Sequence, residues 1–266
     1  MEIRTPRSLA EALELKAERP EALPIQGGTD VMVGLNFDRV RPGVVLNLNE
    51  VAELRGWSRE NGSLRLGAGL TYAQAMDGPL AAELPALAEA ARTVGSPQIR
   101  NRGTIGGNLA TASPAGDALP PLLIEGAEVE CASVRGRRRI ALADFVTGVK
   151  RTALAPDELI TAVLVVPSGR PQTFMKIGPR NAMVIAVCSL ALSVGEELRA
   201  AFGSAAPRPV LVTAPATEAG AFPDRVAAAS SPIDDVRGTA DYRRHALRVL
   251  AGRALERTLA QVERAR

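Results

Sequence analysis

Apolar positions switch between helical and alternating spacing along the chain, and the switches predict a mixed order of helices and strands. Ser8-Leu9-Ala10-Glu11 has the pattern of a capping box, serine at the N-cap and glutamate three residues on. It predicts a helix ending near Arg19-Pro20. Pro24-Ile25-Gln26 leads into a Gly27-Gly28-Thr29-Asp30 turn, and Val31 to Leu35 follows as a short apolar segment. Val44 to Leu48 predicts a strand, and Leu64 to Gly69 alternates as a half-buried strand does. Thr71 to Asp77 and Leu80 to Val94 predict helices.

A glycine-rich loop, Thr104 to Asp117, interrupts the pattern, and Leu119 to Leu123 then reads as a buried turn of helix or strand. Val129 to Val134 and Ile140 to Leu142 read as two strands joined by a turn at Arg135-Gly136-Arg137-Arg138-Arg139. Asp157 to Val166 is a strong β segment, and Pro167-Ser168-Gly169-Arg170-Pro171 reads as a linker. Beyond it Thr173 to Ile177, Val184 to Val194 and Val210 to Thr213 predict strands. Alanine-rich Ala214 to Ser231 predicts a mobile helix and loop. From about Thr239, Leu247, Leu250, Ala251, Ala254, Leu255, Leu259 and Val262 recur at helical spacing under an arginine-rich outer face.

Composition narrows the function classes. The 266 residues, 46% hydrophobic and 23% charged, suit one large globular domain or two modest ones. No apolar run approaches the roughly 18 residues of a membrane span. The first residues enter an amphipathic segment with no apolar signal core, which predicts a cytoplasmic protein. Cys131 and Cys188 form no C-x-x-C pair; two buried free thiols are expected, with a disulfide as the alternative. Two cysteines and the single His245 cannot build an iron–sulfur or other metal centre in this chain. The net charge of +3 is carried almost wholly by arginine. The Arg135–Arg139 cluster lacks interleaved aromatics, so it reads as a solvated hairpin tip and not as a nucleic-acid site; docking of an acidic partner protein stays open.

The chemistry concentrates in Thr104-Ile105-Gly106-Gly107-Asn108-Leu109-Ala110-Thr111-Ala112-Ser113-Pro114-Ala115-Gly116-Asp117. Its three glycines allow close backbone approach to a ligand, and successive N–H groups in such a turn can hold a phosphate without lysine. Gly27-Gly28-Thr29-Asp30 repeats the composition on a smaller scale, and together the two predict a diphosphate-containing cofactor. No G-x-S-x-G elbow, P-loop or clean G-x-G-x-x-G is present, so a bound organic cofactor must supply any reactive atoms.

Gly27 to Asp30, then Val94 to Asn108, then Ser113 to Asp117 resemble the FAD-binding medium subunit of the molybdenum hydroxylases, the xanthine dehydrogenase and carbon monoxide dehydrogenase family. The resemblance continues through Leu154 to Ile160, Lys176 with Arg180, and Arg237 to Arg244. It covers nearly the whole chain in order. It implies an α+β fold: an FAD-binding domain of the vanillyl-alcohol oxidase (PCMH) type over residues 1–167, then a smaller C-terminal α+β domain over residues 172–266. By the same resemblance Pro24, Ile25, Gln26, Gly27, Gly28, Thr29, Asp30 and Val31, with Thr104, Ile105, Gly106, Gly107 and Asn108, wrap the pyrophosphate of FAD. Asp117 would accept hydrogen bonds from the cofactor, or else cap a helix before Ala118-Leu119. Ile160 and Lys176 match positions at the flavin end, where Lys176 would balance negative charge unless it is simply solvated, and Val94 falls near a flavin-flanking position.

Two departures stand out. Gln26 replaces a small residue before the two glycines, and Val184 replaces an aspartate in Arg180 to Ala186. The implied mechanism is an electron relay with an iron–sulfur small subunit and a molybdopterin-binding large subunit. The acceptor would be NAD, a quinone or oxygen, and the assembly a dimer of heterotrimers. No metal ligand is expected in this chain. Two alternatives are a free-standing flavoenzyme, whose thin proton-handling candidates are Tyr72, Tyr242 and His245, and a non-catalytic assembly subunit that has lost flavin.

Overall fold

The computed structural model describes residues 1–264. Its first 54 residues build a small parallel sheet in the order Glu2–Arg4, Val44–Asn47, Leu23–Ile25. The helix Leu9–Glu18 packs on it, capped by the Ser8 hydroxyl, which accepts from the Glu11 N–H at 3.2 Å. An antiparallel five-stranded sheet follows, ordered Trp57–Glu60, Ser63–Gly67, Leu159–Val165, Glu128–Ser133, Gly136–Ala141. Its apolar face packs under helices Tyr72–Ala75, Gly78–Glu83, Pro85–Thr93 and Leu119–Ile124, forming the largest core with Leu64, Leu66, Leu87, Leu122 and Val163.

The C-terminal part is an antiparallel meander, Gln172–Ile177, Cys188–Val194, Glu197–Gly203 and Val210–Pro215, covered by helix Phe222–Ala228 and the long terminal helix Ala240–Arg264. Strand Gln172–Ile177 is a shared wall. Phe174 enters the N-terminal core, whereas Met175 and Ile177 pack on the C-terminal one, as the two-residue alternation of a strand requires.

Several expectations are corrected. The glycine-rich loop begins as a helix, Ile105–Thr111, ended by Ala112 in the left-handed region at φ 44°. The Leu80–Val94 helix is two, broken at Leu84 because proline at 85 drives the residue before it out of the helical region. The strand expected from Val184 begins only at Cys188. Arg137, Arg138 and Arg139 lie within strand Gly136–Ala141 and not at the tip. Arg135, Arg137 and Arg138 are already paired, with Asp157, Glu130 and Glu158 respectively. Ala214 to Ser231 holds a short 3₁₀ turn and a helix that buries Phe222 and Val226 in the C-terminal core.

Both cysteines are free and buried; burial pushes the thiol of Cys131 up to about 11 and that of Cys188 to about 12, which keeps them protonated and unreactive. Among the described residues no helix is long and apolar enough to cross a membrane.

Candidate functional site

Strand Leu23–Ile25 carries Pro24 and Ile25 up to Gln26, and helix Val31–Asn36 starts at Val31, so Gly27-Gly28-Thr29-Asp30 is the turn between them. Gly28 sits at φ +76°, a conformation side chains resist. The backbone N–H groups of Gly27, Gly28, Thr29 and Asp30 donate to no acceptor among the described residues. Unpaired successive donors are what an anionic group needs. The turn is braced from behind: a Cβ on Gly27 would run into the Arg102 carbonyl, and Arg102 Nη2 donates to the Gln26 carbonyl at 3.1 Å. Thr111 Oγ1 donates to Asp30 Oδ2 at 3.2 Å, tying the turn to helix Ile105–Thr111.

The second glycine pair behaves differently. Thr104 is the N-cap, its hydroxyl accepting from the Gly107 N–H at 3.0 Å. The N–H of Ile105 goes to the Leu70 carbonyl at 2.9 Å, that of Gly106 to Ala68 at 2.8 Å, and that of Asn108 to Thr104 at 3.0 Å. A Cβ on Gly106 would meet Ala68 Cβ at 2.6 Å and its carbonyl at 2.7 Å. The backbone donors expected to face a ligand here are spent inside the protein, and the missing side chain at Gly106 lets two backbones meet. What the segment keeps for a ligand is the side chain of Asn108, whose Oδ1 is buried without a partner.

Asn108 leads to the charged centre of the site. Its amide lies where a Cβ on Gly116 would be, at 2.9 Å from Oδ1, which places it beside Asp117. Lys176 Nζ donates to Asp117 Oδ2 at 2.6 Å and to the Thr93 carbonyl at 3.0 Å. Both side chains are nearly sealed, 9% exposed for Asp117 and 5% for Lys176, so the solvated-lysine reading is excluded. Helix Leu119–Ile124 has no side-chain cap, so Asp117 is not a helix cap either. Burial pushes the Asp117 carboxyl up to about 6 against the opposing pull of Lys176. Its second oxygen, Oδ1, is buried and unpartnered. Such an orphan costs on the order of 1–3 kcal/mol and marks a place where a donor is missing.

The remaining expected residues border this strip. Ile160 is buried at a bulge in strand Leu159–Val165; its neighbour Thr161 accepts at its carbonyl from the Ala68 N–H, on the residue that packs against Gly106. Val94 follows Thr93 at the end of helix Pro85–Thr93 and is half-buried. Gln26 fits without crowding its turn, because its amide lies over Gly69 in space a Cβ would occupy. Val184 likewise packs on Gly178. A cleft of ≈ 540 Å³ opens beside the two turns, its wall including Gln26, Asn49, Arg55, Asn101, Arg102 and Thr104. Sequence reasoning did not single out Arg102 as a site residue, although it stands in the Val94 to Asn108 motif directly before Gly103. The Thr93 carbonyl carried no signal at all. Of the proton-handling candidates, Tyr72 is buried, with its phenol pushed up by burial and by Asp117; Tyr242 and His245 are exposed on the terminal helix.

Spare backbone donors in one turn and a buried carboxylate with a free oxygen define a candidate site for a cofactor that carries both an anionic group and hydrogen-bond donors, set in a mixed α+β fold. The family model described as the FAD binding domain in molybdopterin dehydrogenase matches residues 1–168. The chain is 36% identical over 214 residues to the xanthine dehydrogenase FAD-binding subunit of Escherichia coli O157:H7, covering 76% of this chain and 73% of that one. It is 31% identical to the carbon monoxide dehydrogenase medium chain of Afipia carboxidovorans, covering 97% and 96%. Carbon monoxide dehydrogenase from Hydrogenophaga pseudoflava superposes with a TM-score of 0.90 at 26% identity, covering 98% of this chain and 97% of that chain. The chain belongs to the family of FAD-binding domains of molybdopterin dehydrogenases. It is accordingly an FAD-binding oxidoreductase subunit. The donor set fits that cofactor on physical grounds: four spare N–H groups suit a pyrophosphate, and the orphaned Asp117 and Asn108 oxygens suit hydroxyl or amine donors.

Proposed function

We infer that the chain is the electron-transfer flavoprotein subunit of a molybdenum hydroxylase complex, receiving electrons from 2Fe–2S clusters of a small subunit and delivering them to an acceptor such as NAD, a quinone or oxygen. FAD supplies that redox chemistry when bound, since it handles electrons singly and in pairs. The protein's share is holding and tuning. The Gly27–Asp30 donors hold the pyrophosphate, with Pro24, Ile25, Gln26 and Val31 shaping the turn. Thr104, Ile105, Gly106, Gly107 and Asn108 form the opposite bank, where Asn108 offers its amide. Asp117 Oδ1 accepts from the cofactor while Lys176 keeps the carboxylate ionised. Ile160 and Val94 present aliphatic bulk to the ring and keep water off it.

The partners are an iron–sulfur small subunit and a molybdopterin-binding large subunit, assembled in the cytoplasm as a dimer of heterotrimers. Residues 1–167 act as the flavin domain and 172–266 as the C-terminal domain. The observation that carries this reading is the unpaired, buried Asp117 Oδ1 held in place by Lys176. The test is to incubate the purified chain with FAD, desalt it and record its spectrum. Flavin bands near about 370 and about 450 nm are expected to remain, and Asp117→Ala to abolish them. Bleaching of the longer-wavelength band by the dithionite-reduced small subunit then tests the electron path. A folded chain that stays colourless both alone and co-expressed with the two partners overturns the proposal.

A further inference from the structure

Glu89 lies outside every motif, in the middle of the alanine-rich helix Pro85–Thr93, yet it grips the strand that carries Lys176. Its Oε2 accepts from the Phe174 N–H at 2.7 Å and from Thr173 Oγ1 at 2.8 Å, while Oε1 accepts from Arg257 Nη2 at 2.6 Å on the terminal helix. Strand Gln172–Ile177 is the edge of its sheet, so the Phe174 N–H would otherwise lack a partner. One helical turn beyond Glu89, the Thr93 carbonyl accepts from Lys176 Nζ at 3.0 Å.

The two contacts are in register. Four helical residues rise about 6 Å and two strand residues about 7 Å, so Glu89–Phe174 and Thr93–Lys176 lie side by side as rungs between helix and strand. The second rung also gives a helix-terminal carbonyl, which has no intrahelical partner, a cation suited to that end of the dipole. With Glu89 in place the ammonium of Lys176 is delivered to Asp117 Oδ2 at 2.6 Å, and Oδ1 is left free.

We propose that Glu89 is a positioning residue for the cofactor site: by clamping the Phe174 N–H it sets Lys176 on Asp117, and so keeps Asp117 able to accept from FAD. This rests on the reading of Asp117 as a cofactor acceptor. The charged and titratable groups facing Asp117 are Lys176 from the strand and Tyr72 from helix Tyr72–Ala75, so Lys176 is the cation that opposes the burial of its charge. When Lys176 drifts, burial of Asp117 goes unopposed, its carboxyl takes up a proton at higher pH, and FAD binding is lost over that range.

The test is FAD affinity of the full-length chain from pH 5 to pH 9, by quenching of free-flavin fluorescence, for wild type, Glu89→Ala, Glu89→Gln and Arg257→Ala. Glu89→Ala is expected to bind FAD about tenfold more weakly at pH 7 and to move the midpoint of the pH profile upward, with affinity recovering at high pH. Glu89→Gln keeps an oxygen for the Phe174 N–H and should restore the wild-type midpoint. Arg257→Ala removes only the outer ion pair and should leave the midpoint unchanged. If Glu89→Ala does not fold, Thr173→Val, which strips one contact from Glu89, takes its place with a smaller upward shift. An equal loss of affinity at every pH, with no shift of midpoint, overturns the proposal by making Glu89 merely structural. Asp117→Asn separates the two failures: if it binds FAD with the wild-type pH profile, the Asp117 reading itself is wrong. If it flattens the profile while Glu89→Ala leaves the midpoint in place, only the role of Glu89 falls.

Discussion

The two glycine turns of this protein read almost alike in sequence and do opposite things in the structure. At Gly27–Asp30 four successive N–H groups are spared from internal bonding. At Ile105–Asn108 all four are consumed, by Leu70, Ala68, Thr104 Oγ1 and Thr104 O. One turn leaves its donors unspent among the described residues. The other joins a helix start to the turn that follows strand Ser63–Gly67, and its glycine at 106 answers the approach of Ala68. Glycine richness therefore reports close backbone approach; only the fate of the neighbouring N–H groups tells whether the approaching partner is cofactor or protein.

The largest break in this comparison comes from Gly106→Ala. Its methyl group meets Ala68 backbone at about van der Waals overlap, so the cofactor-free protein should lose about 3 kcal/mol in urea unfolding. Unchanged stability would show that the second turn has the slack of a ligand loop. Next in size is a pH effect. The Asp117 carboxyl is raised to about 6 from an ordinary 3.8, so its stabilisation is complete below about pH 4 and is lost as pH rises through 6. Cofactor-free protein should weaken over that window by roughly 2–3 kcal/mol, a slope that Asp117→Asn removes and that saturating FAD flattens. Thermal melting across pH 4–8 would reveal it.

A sharper probe of the first turn is Thr29→Pro, which deletes one of the four spare donors. FAD affinity should drop about tenfold, the worth of one charge-assisted hydrogen bond, measured by fluorescence titration. If the affinity is untouched, the pyrophosphate is held elsewhere. The smallest effect belongs to Thr104→Ala. Losing the N-cap should cost about 1 kcal/mol of stability whether or not FAD is present, because the capped helix end offers the ligand no backbone donor.

Much of this organisation was visible in the residue pattern. The Ser8 N-cap, the Thr173 to Ile177 strand and the terminal helix followed from local sequence signals, although the expected capping box is only half made: Glu11 Oε2 accepts from the Arg7 N–H at 2.7 Å and not from that of Ser8. Strand Trp57–Glu60 escaped because it is an exposed edge with no apolar alternation. Strand Glu197–Gly203 had a usable signal, the Gly195-Glu196 turn between two apolar runs. The ordered motifs brought Asp117 and Lys176 into view as site residues, but not that they bind each other; that pairing joins strands and loops from both halves of the chain. Glu89 was invisible for the same reason. A glutamate on an alanine-rich helix looks solvated until the strand it holds is placed beside it.

The shared wall at Gln172–Ile177 has a consequence for how this gene can change. Phe174 and Lys176 serve one half of the molecule while Met175 and Ile177 serve the other. Deleting one codon between Gln172 and Met175 would exchange the two sets, sending an ammonium into one oily interior and pulling a phenyl ring out of the other. Substitutions there can be tested one at a time, but insertions and deletions must come in pairs.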